Sequence, residues 1–292
     1  MGTNSAIEWT KHTWNPWVGC IKVSPGCKNC YMYREQNQYG QDPKKIRRTK
    51  DQTFRRPLSW NKSDPGLVFT SSWTDFFLEE ADEWRDDAWE IIRWTPNNTY
   101  QILTKRPENI LTRLPSDWSN GYPNVWLGVS VENQEMADLR IPLLTAIPAK
   151  IRFLSCEPLI GAVDLQPFFF TRDSPHIVSA TGEIDWVIVG GESGPAGSTR
   201  PMNPQWARDV RFMCKVAKVP FFFKQWGTWA RTPLNNTKYI ERVLLLNGKF
   251  LPAGEDVFPH EMGMYHMSPL GKKLAGTELD GDEYKEMPGY YE

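Results

Sequence analysis

A chain of 292 residues has room for two domains of about 150 residues each, or for one α/β barrel. Its 34 basic and 35 acidic side chains leave a net charge of −1, which excludes a protein that coats nucleic acid non-specifically. Hydrophobic residues at 40% and charged residues at 24% exclude general disorder. No apolar run approaches the length of a membrane-spanning helix. The opening MGTNSAIEWTKHTW lacks the basic and apolar regions of a secretory signal, so a cytoplasmic location is the expectation. Two counts stand out: 14 tryptophans, and five cysteines of which three fall within eleven residues.

Taken in chain order, short apolar runs predict strands at 13–19, 67–72, 99–103, 125–131, 151–155, 186–190 and 219–224. Most are continuously apolar rather than alternating, as in strands covered on both faces of a parallel sheet. Helices are predicted at 82–94, 106–114, 133–146 and 204–217. In the first of these Trp84, Ala88, Ile91 and Ile92 share one face, with acids opposite. Repeated βα units predict an α/β fold, a complete or partial (β/α) barrel over residues 1–230. Between the first two strands an insertion of roughly 45 residues holds the three clustered cysteines and the segment Lys44–Arg56. Residues 231–292 lose the βα rhythm and read as a C-terminal extension or cap, with one strand at Glu241–Leu246 and a tail ending Gly289-Tyr290-Tyr291.

Active sites of βα barrels lie at the C-terminal ends of the strands. Here those ends carry Ser71, Ser72, Trp73, Thr74 and Asp75, then Thr104, Lys105 and Arg106, then Ser130 and Glu132. They continue with Ser155, Cys156 and Glu157, with Gly190, Gly191, Glu192 and Ser193, and with Lys224, Gln225 and Trp226. Solvent exposure alone does not call for lysine, glutamate, tryptophan and a glycine pair directly beside buried runs. A ring of functional side chains does.

Cys20, Cys27 and Cys30 have the spacing C-x6-C-x2-C. An odd total of five cysteines and the missing secretory signal disfavour a disulfide plus a spare thiol. Structural zinc needs four ligands; His12, Cys156 or Cys214 would have to complete the set. Three thiolates alone suit a [4Fe–4S] cluster with one iron left open to a small molecule. The spacing leaves zinc and iron–sulfur both open, and the position after the first barrel strand favours the cluster.

IEWTKHTWNPWVGCIKVSPGCKNCYMYRE, FTSSWTDFF, QILTKRPE, NVWLGVSVENQ, IRFLSCEPL, WVIVGGESG and VPFFFKQWG together resemble a phage and bacterial three-cysteine family of the radical SAM type, over about residues 5–230. The first cysteine gap is longer than the commonest radical SAM spacing, C-x3-C-x2-C. The resemblance implies a [4Fe–4S] cluster on Cys20, Cys27 and Cys30, with S-adenosyl-L-methionine (SAM) on its open iron and a 5′-deoxyadenosyl radical as the reactive species. An electron donor such as a flavodoxin or ferredoxin would serve it, and no membrane. By analogy with radical SAM barrels, Ser71, Ser72 and Asp75 would hold the methionyl amine and Lys105 its carboxylate. Ser130 and Glu132 would hold the ribose, and Tyr31 would lie near the adenine.

Members of this family resemble partners in phage DNA hypermodification. The implied reaction is isomerisation of 5-Nα-glycinylthymidine in DNA to its Cα-linked form, in the host cytoplasm for a phage-encoded chain. Lyase or repair chemistry on another modified base, and a zinc-stabilised nucleic-acid-binding barrel without catalysis, are the alternatives. Arg106, Lys224 and Arg200 are the cations nearest the strand ends for a substrate carboxylate. Glu157 and Glu192 suit an ammonium or a base edge, beside Gln225. Cys156 is the candidate hydrogen donor. His12, His176, His260 and His266 show no paired metal spacing and take no catalytic role.

The net charge conceals two opposed blocks. Lys44–Arg56 holds seven lysines and arginines against Asp51, and Glu79–Glu90 seven acids against Arg85. The basic block sits in the cysteine insertion, where phosphate contacts would give salt-dependent DNA binding. Trp73, Trp226 and Trp229 adjoin strand ends and would offer rings for a flipped or single-stranded base.

Overall fold

The apolar runs are the strands of one seven-stranded sheet, and they follow one another across it in chain order. They are β1 (His12–Trp14), β2 (Leu67–Thr70), β3 (Thr99–Thr104), β4 (Val125–Ser130), β5 (Ile151–Cys156), β6 (Trp186–Gly190) and β7 (Phe221–Gln225). The computed structural model describes residues 4–171, 174–178, 184–231, 242–244, 250–252 and 265–289. Pairing is parallel, with Trp14 opposite Thr70, Thr70 opposite Ile102, Thr104 opposite Val129 and Val189 opposite Phe223. Every residue of β4 and β6 is buried, as the unbroken apolar runs require. A sequential parallel sheet with helical crossovers is the mixed α/β architecture of a partial β/α barrel.

The longer helices are α1 (Tyr31–Gln38), α2 (Arg56–Ser63), α3 (Asp82–Trp94), α4 (Gln134–Thr145) and α5 (Pro204–Ala217). On α3 the buried face is Arg85, Ala88, Trp89, Ile91 and Ile92; Trp84 is only half-buried. On α5 the Asn203 side chain caps the Gln205 amide, Pro204 occupies the first turn, and Lys218 closes the helix in the left-handed conformation. The predicted helix at 106–114 is instead two 3₁₀ turns, Pro107–Asn109 and Leu111–Arg113. Pro107 opens the segment, and Pro115 disfavours helical dihedrals at Leu114, so no α-helix has room to propagate. The predicted strand at 13–19 is also broken. Pro16 has no N–H for the ladder, and the chain leaves β1 so that Trp17–Val18 pairs antiparallel with Arg47–Arg48.

The chain divides into two compact units, residues 1–130 with 139–154 and 179–185, and residues 131–138 with 155–178 and 186–292. In the second unit the C-terminal tail protects an edge of the sheet. Phe222 bridges antiparallel to Lys285, the Phe223 amide donates to the Tyr284 carbonyl (2.8 Å), and the Trp186 indole donates to the Glu286 carbonyl (2.8 Å). A four-stranded antiparallel sheet in the same unit joins Ala230–Arg231, Tyr265–Ser268, Arg242–Leu244 and Phe250–Pro252. Arg242–Leu244 realises the middle of the strand predicted at Glu241–Leu246. The rest of that strand, His260 and the terminal Tyr290-Tyr291 lie outside the described residues.

Candidate functional site

In the first unit the cysteine loop starts where the broken first strand ends. Gly19 has φ of +97°, and a Cβ there would lie 2.5 Å from the Lys45 carbonyl oxygen, so glycine alone permits the approach. The Gly19 amide donates to the Trp73 carbonyl (3.2 Å) and its own carbonyl accepts from Thr74 Oγ1 (2.6 Å). The Cys20 amide donates to the Pro43 carbonyl (2.9 Å). Cys27 closes a 3₁₀ turn that begins at Pro25, and Cys30 is the residue that starts α1. All three thiols are free and half-buried. Burial, then the Asp75 carboxylate, pushes the Cys20 thiol up to about 12 against the pull of Arg106, and the other two thiols add to the rise. The Tyr33 hydroxyl donates to the Cys20 carbonyl and ties α1 back to the loop.

Asp75, at the end of β2, is buried and uses both of its oxygens. One accepts from the Phe77 amide (3.0 Å) and Thr104 Oγ1 (2.7 Å), the other from the Lys105 amide (2.9 Å) and Arg106 Nη1 (3.3 Å). Arg106 also donates to the Ile21 carbonyl (2.6 Å) and lies 4.0 Å from Cys20 Sγ. The residues expected to meet a methionyl amine and a substrate carboxylate therefore meet each other, and together they hold the cysteine loop. Ser71 is buried in the left-handed region, at φ of +72°, with no hydrogen-bond partner for its hydroxyl among the described residues. Ser72 pairs with Asn15, whose Oδ1 also accepts from the Trp73 amide (2.7 Å). Lys105 Nζ donates to Ser130 Oγ (2.9 Å), joining the ends of β3 and β4. Tyr31, next to Cys30, donates its hydroxyl to the Ser72 carbonyl.

In the second unit the strand-end residues pair among themselves. Lys224 Nζ donates to both oxygens of Glu157 (2.7 and 2.8 Å), and Gln225 Nε2 reaches Glu157 Oε1 (3.3 Å) and Ser193 Oγ (3.0 Å). Arg200 donates through its amide and Nε to Glu192 Oε2 (2.8 and 3.0 Å) and through Nη2 to Oε1. Gly191 passes so near the backbone of β7's end that a Cβ would lie 1.8 Å from the Trp226 carbonyl oxygen. Cys156 is fully buried; burial and the Glu132 carboxylate push its thiol up to about 12. Glu132 is buried as well. Trp226 and Trp229 lie inside the fold, their indoles donating to the Glu278 carbonyl (2.8 Å) and to Thr199. Of the three tryptophans expected at strand ends, Trp73 is the one with part of its ring surface exposed.

Among the described residues no group of three or more histidine, cysteine, aspartate or glutamate side chains is assembled to hold a metal ion. A family model described as "Protein of unknown function (DUF5131)" matches residues 4–288. The chain belongs to the DUF5131 family. No curated protein and no solved structure matches it.

Thr104, one of the polar strand-end residues, completes the Asp75 cradle. Two residues of this DUF5131 chain that matter to the geometry do not stand out in the sequence: Asn15 organises Ser72 and Trp73, and Tyr33 anchors the Cys20 carbonyl. The Asn15-Pro16 pair is a local signal for the first, because it marks a turn. The second is an ordinary helix residue until the fold brings 13 positions of chain together.

Proposed function

We propose that this chain is a radical SAM enzyme that isomerises 5-Nα-glycinylthymidine in DNA to the Cα-linked form. The observation that carries the reading is the cysteine loop: three free, half-buried thiols, on a loop anchored by part-buried polar contacts beyond the ends of β2 and β3. Three cysteines on one loop give the ligand count of a [4Fe–4S] cluster, which Cys20, Cys27 and Cys30 would hold once their thiols are drawn together. When bound with SAM, the cluster supplies one-electron cleavage of the sulfonium and thereby a means of removing a hydrogen atom from carbon.

The residues around it bind and orient. Arg106, neutralised by Asp75, keeps a positive group beside Cys20 without exposing it to solvent. Lys105 and Ser130 present an ammonium and a hydroxyl suited to a carboxylate and a sugar hydroxyl. In the second unit Lys224 is steadied by Glu157 and Gln225. The conversion balances without a co-reactant: the methylene–nitrogen bond breaks, a methylene–Cα bond forms, and one hydrogen passes from Cα to nitrogen.

The basic run is tied to the cysteine loop by two contacts, the pairing of Arg47–Arg48 with Trp17–Val18 and the Cys20–Pro43 hydrogen bond. A DNA strand held by that run would therefore be held beside the loop. Purified anaerobically, the chain is expected to be brown with about four irons. With dithionite and SAM it should release 5′-deoxyadenosine or use it reversibly, and should convert glycinylthymidine DNA to a product of unchanged mass and altered retention. A colourless chain carrying one zinc overturns the radical reading. A product of lower mass replaces isomerisation by cleavage.

A further inference from the structure

A cavity of about 140 Å³ opens in the first unit, between β1 and the end of the basic segment Lys44–Arg56. Its lining is Thr13 and Trp14 of β1, Gln52 and Thr53 of the one-turn helix Asp51–Phe54, and Arg56 and Trp60 of α2. Among the described residues no acidic side chain lines it. Its aromatic walls are held rigidly: the Trp14 indole donates to the Phe54 carbonyl (3.1 Å), and the Trp60 ring lies flat on His12, centroids 4.4 Å apart and planes 3° apart. Guanidinium, amide and hydroxyl groups over an apolar wall form a donor set that matches a phosphate ester and its attached sugar.

The surroundings say what carries that ester. In the segment Lys44–Arg56 Arg48 pairs with Asp51 (2.7 Å), and Arg47 donates to the neutral Gln36. Lys44, Lys45, Lys50 and Arg56 are exposed and have no carboxylate partner among the described residues, while Arg55 is exposed within electrostatic reach of Asp51. One pocket beside several uncompensated cations, strung along a single segment, suits a repeating anion better than an isolated one. Antiparallel pairing of this segment with Trp17–Val18 then leads the chain of cations to within two residues of Cys20.

We propose that the cavity seats one phosphodiester group of a single-stranded nucleic acid, which runs from Arg56 along the basic segment toward the cysteine loop. The inference rests on the nucleic-acid reading of the substrate, but it is tested without turnover. Fluorescence anisotropy with a labelled single-stranded oligonucleotide, at a series of salt concentrations, reads both affinity and the number of phosphates neutralised. For the full-length wild type, log affinity should fall linearly with log salt. R56Q should weaken binding severalfold and lower the magnitude of that slope by about 0.7, the share of one phosphate on a single strand. K44Q/K45Q/K50Q should lower it by about three times as much.

All altered positions are exposed, and an unchanged thermal midpoint shows that each variant is folded. Wild-type affinity and slope in both variants overturn the proposal, as does a free thymidine monophosphate that binds as tightly as the oligonucleotide. Iron content and 5′-deoxyadenosine formation by the wild type report separately on the radical reading. A chain without iron that still binds DNA through Arg56 sinks that reading and leaves this one standing.

Discussion

Arg106 and Asp75 form a buried ion pair, 3.3 Å apart, that closes the end of β2 onto the end of β3 and reaches the cysteine loop through the Ile21 carbonyl. Their side chains are 8% and 7% exposed, so neither charge has water as an alternative partner. R106M leaves the carboxylate buried and unpaired, and is expected to cost about 3–5 kcal/mol. The double variant D75N/R106M should cost less than the sum of the single changes, because the unpaired charge is gone. Denaturant unfolding of the four proteins measures this. Additive effects would show that the two groups do not depend on each other.

Gly19 and Gly40 both have positive φ, at +97° and +65°, but differ in their surroundings. A Cβ at Gly19 meets the Lys45 carbonyl at 2.5 Å, whereas none of the described residues comes within 4 Å of one at Gly40. G40A should cost about 1 kcal/mol, the conformational term alone. G19A adds a backbone collision and should cost about 2–3 kcal/mol, with less iron retained per chain after anaerobic reconstitution. Equal thermal midpoints for the two variants would contradict the close approach.

Thiol labelling separates the two buried cysteines from Cys27 and Cys30. Cys156 and Cys214 are fully buried, and burial raises both thiols, Cys156 to about 12. Iodoacetamide at pH 8 should therefore leave both unmodified in the folded, iron-free protein while Cys27 and Cys30, which are half-exposed, react. Peptide mapping by mass spectrometry reads each site, and early modification of Cys156 would overturn its placement.

Asp280 pairs with Arg208 at the C-terminal tail, and that hydrogen bond holds its carboxyl below the ordinary 3.8. A depressed folded-state value means that the unfolded state binds the proton more readily. The contribution is thus fully present above about pH 4 and fades as pH falls from 3.8 through the folded-state value. Asp280 is 41% exposed, so salt will screen the pair and the effect will be small. The stability difference between wild type and D280N should be constant from pH 5 to 7 and shrink in acid. A difference that grows in acid would contradict the sign.

Much of the fold is legible from local pattern. The seven apolar runs all become strands, and α3 and α5 begin and end at the predicted residues, 82–94 and 204–217. Apolar periodicity, caps and proline positions act over a few residues, so a linear reading captures them. It fails where one residue type serves two purposes. The run at 13–19 looks like one strand because its tryptophans are apolar throughout, yet Pro16 ends the ladder. All but Trp73, Trp84 and Trp94 of the fourteen tryptophans are buried, so an indole next to a strand end is here mostly core.

The spacing of Cys20, Cys27 and Cys30 and the opposed charge blocks belong to the sequence by itself, since both are properties of neighbouring residues. Which charges remain available was decided only by tertiary structure. Asp75 and Arg106 are 31 positions apart, and Glu157 and Lys224 are 67 apart; each pair forms because packing removes water and brings the partners within 4 Å. The same packing leaves Lys44, Lys45, Lys50 and Arg56 exposed and without a carboxylate partner among the described residues. Sequence order carries no record of desolvation or of distances across 30 or more residues, and those two quantities separate a buried tether from a cation free to meet an anion.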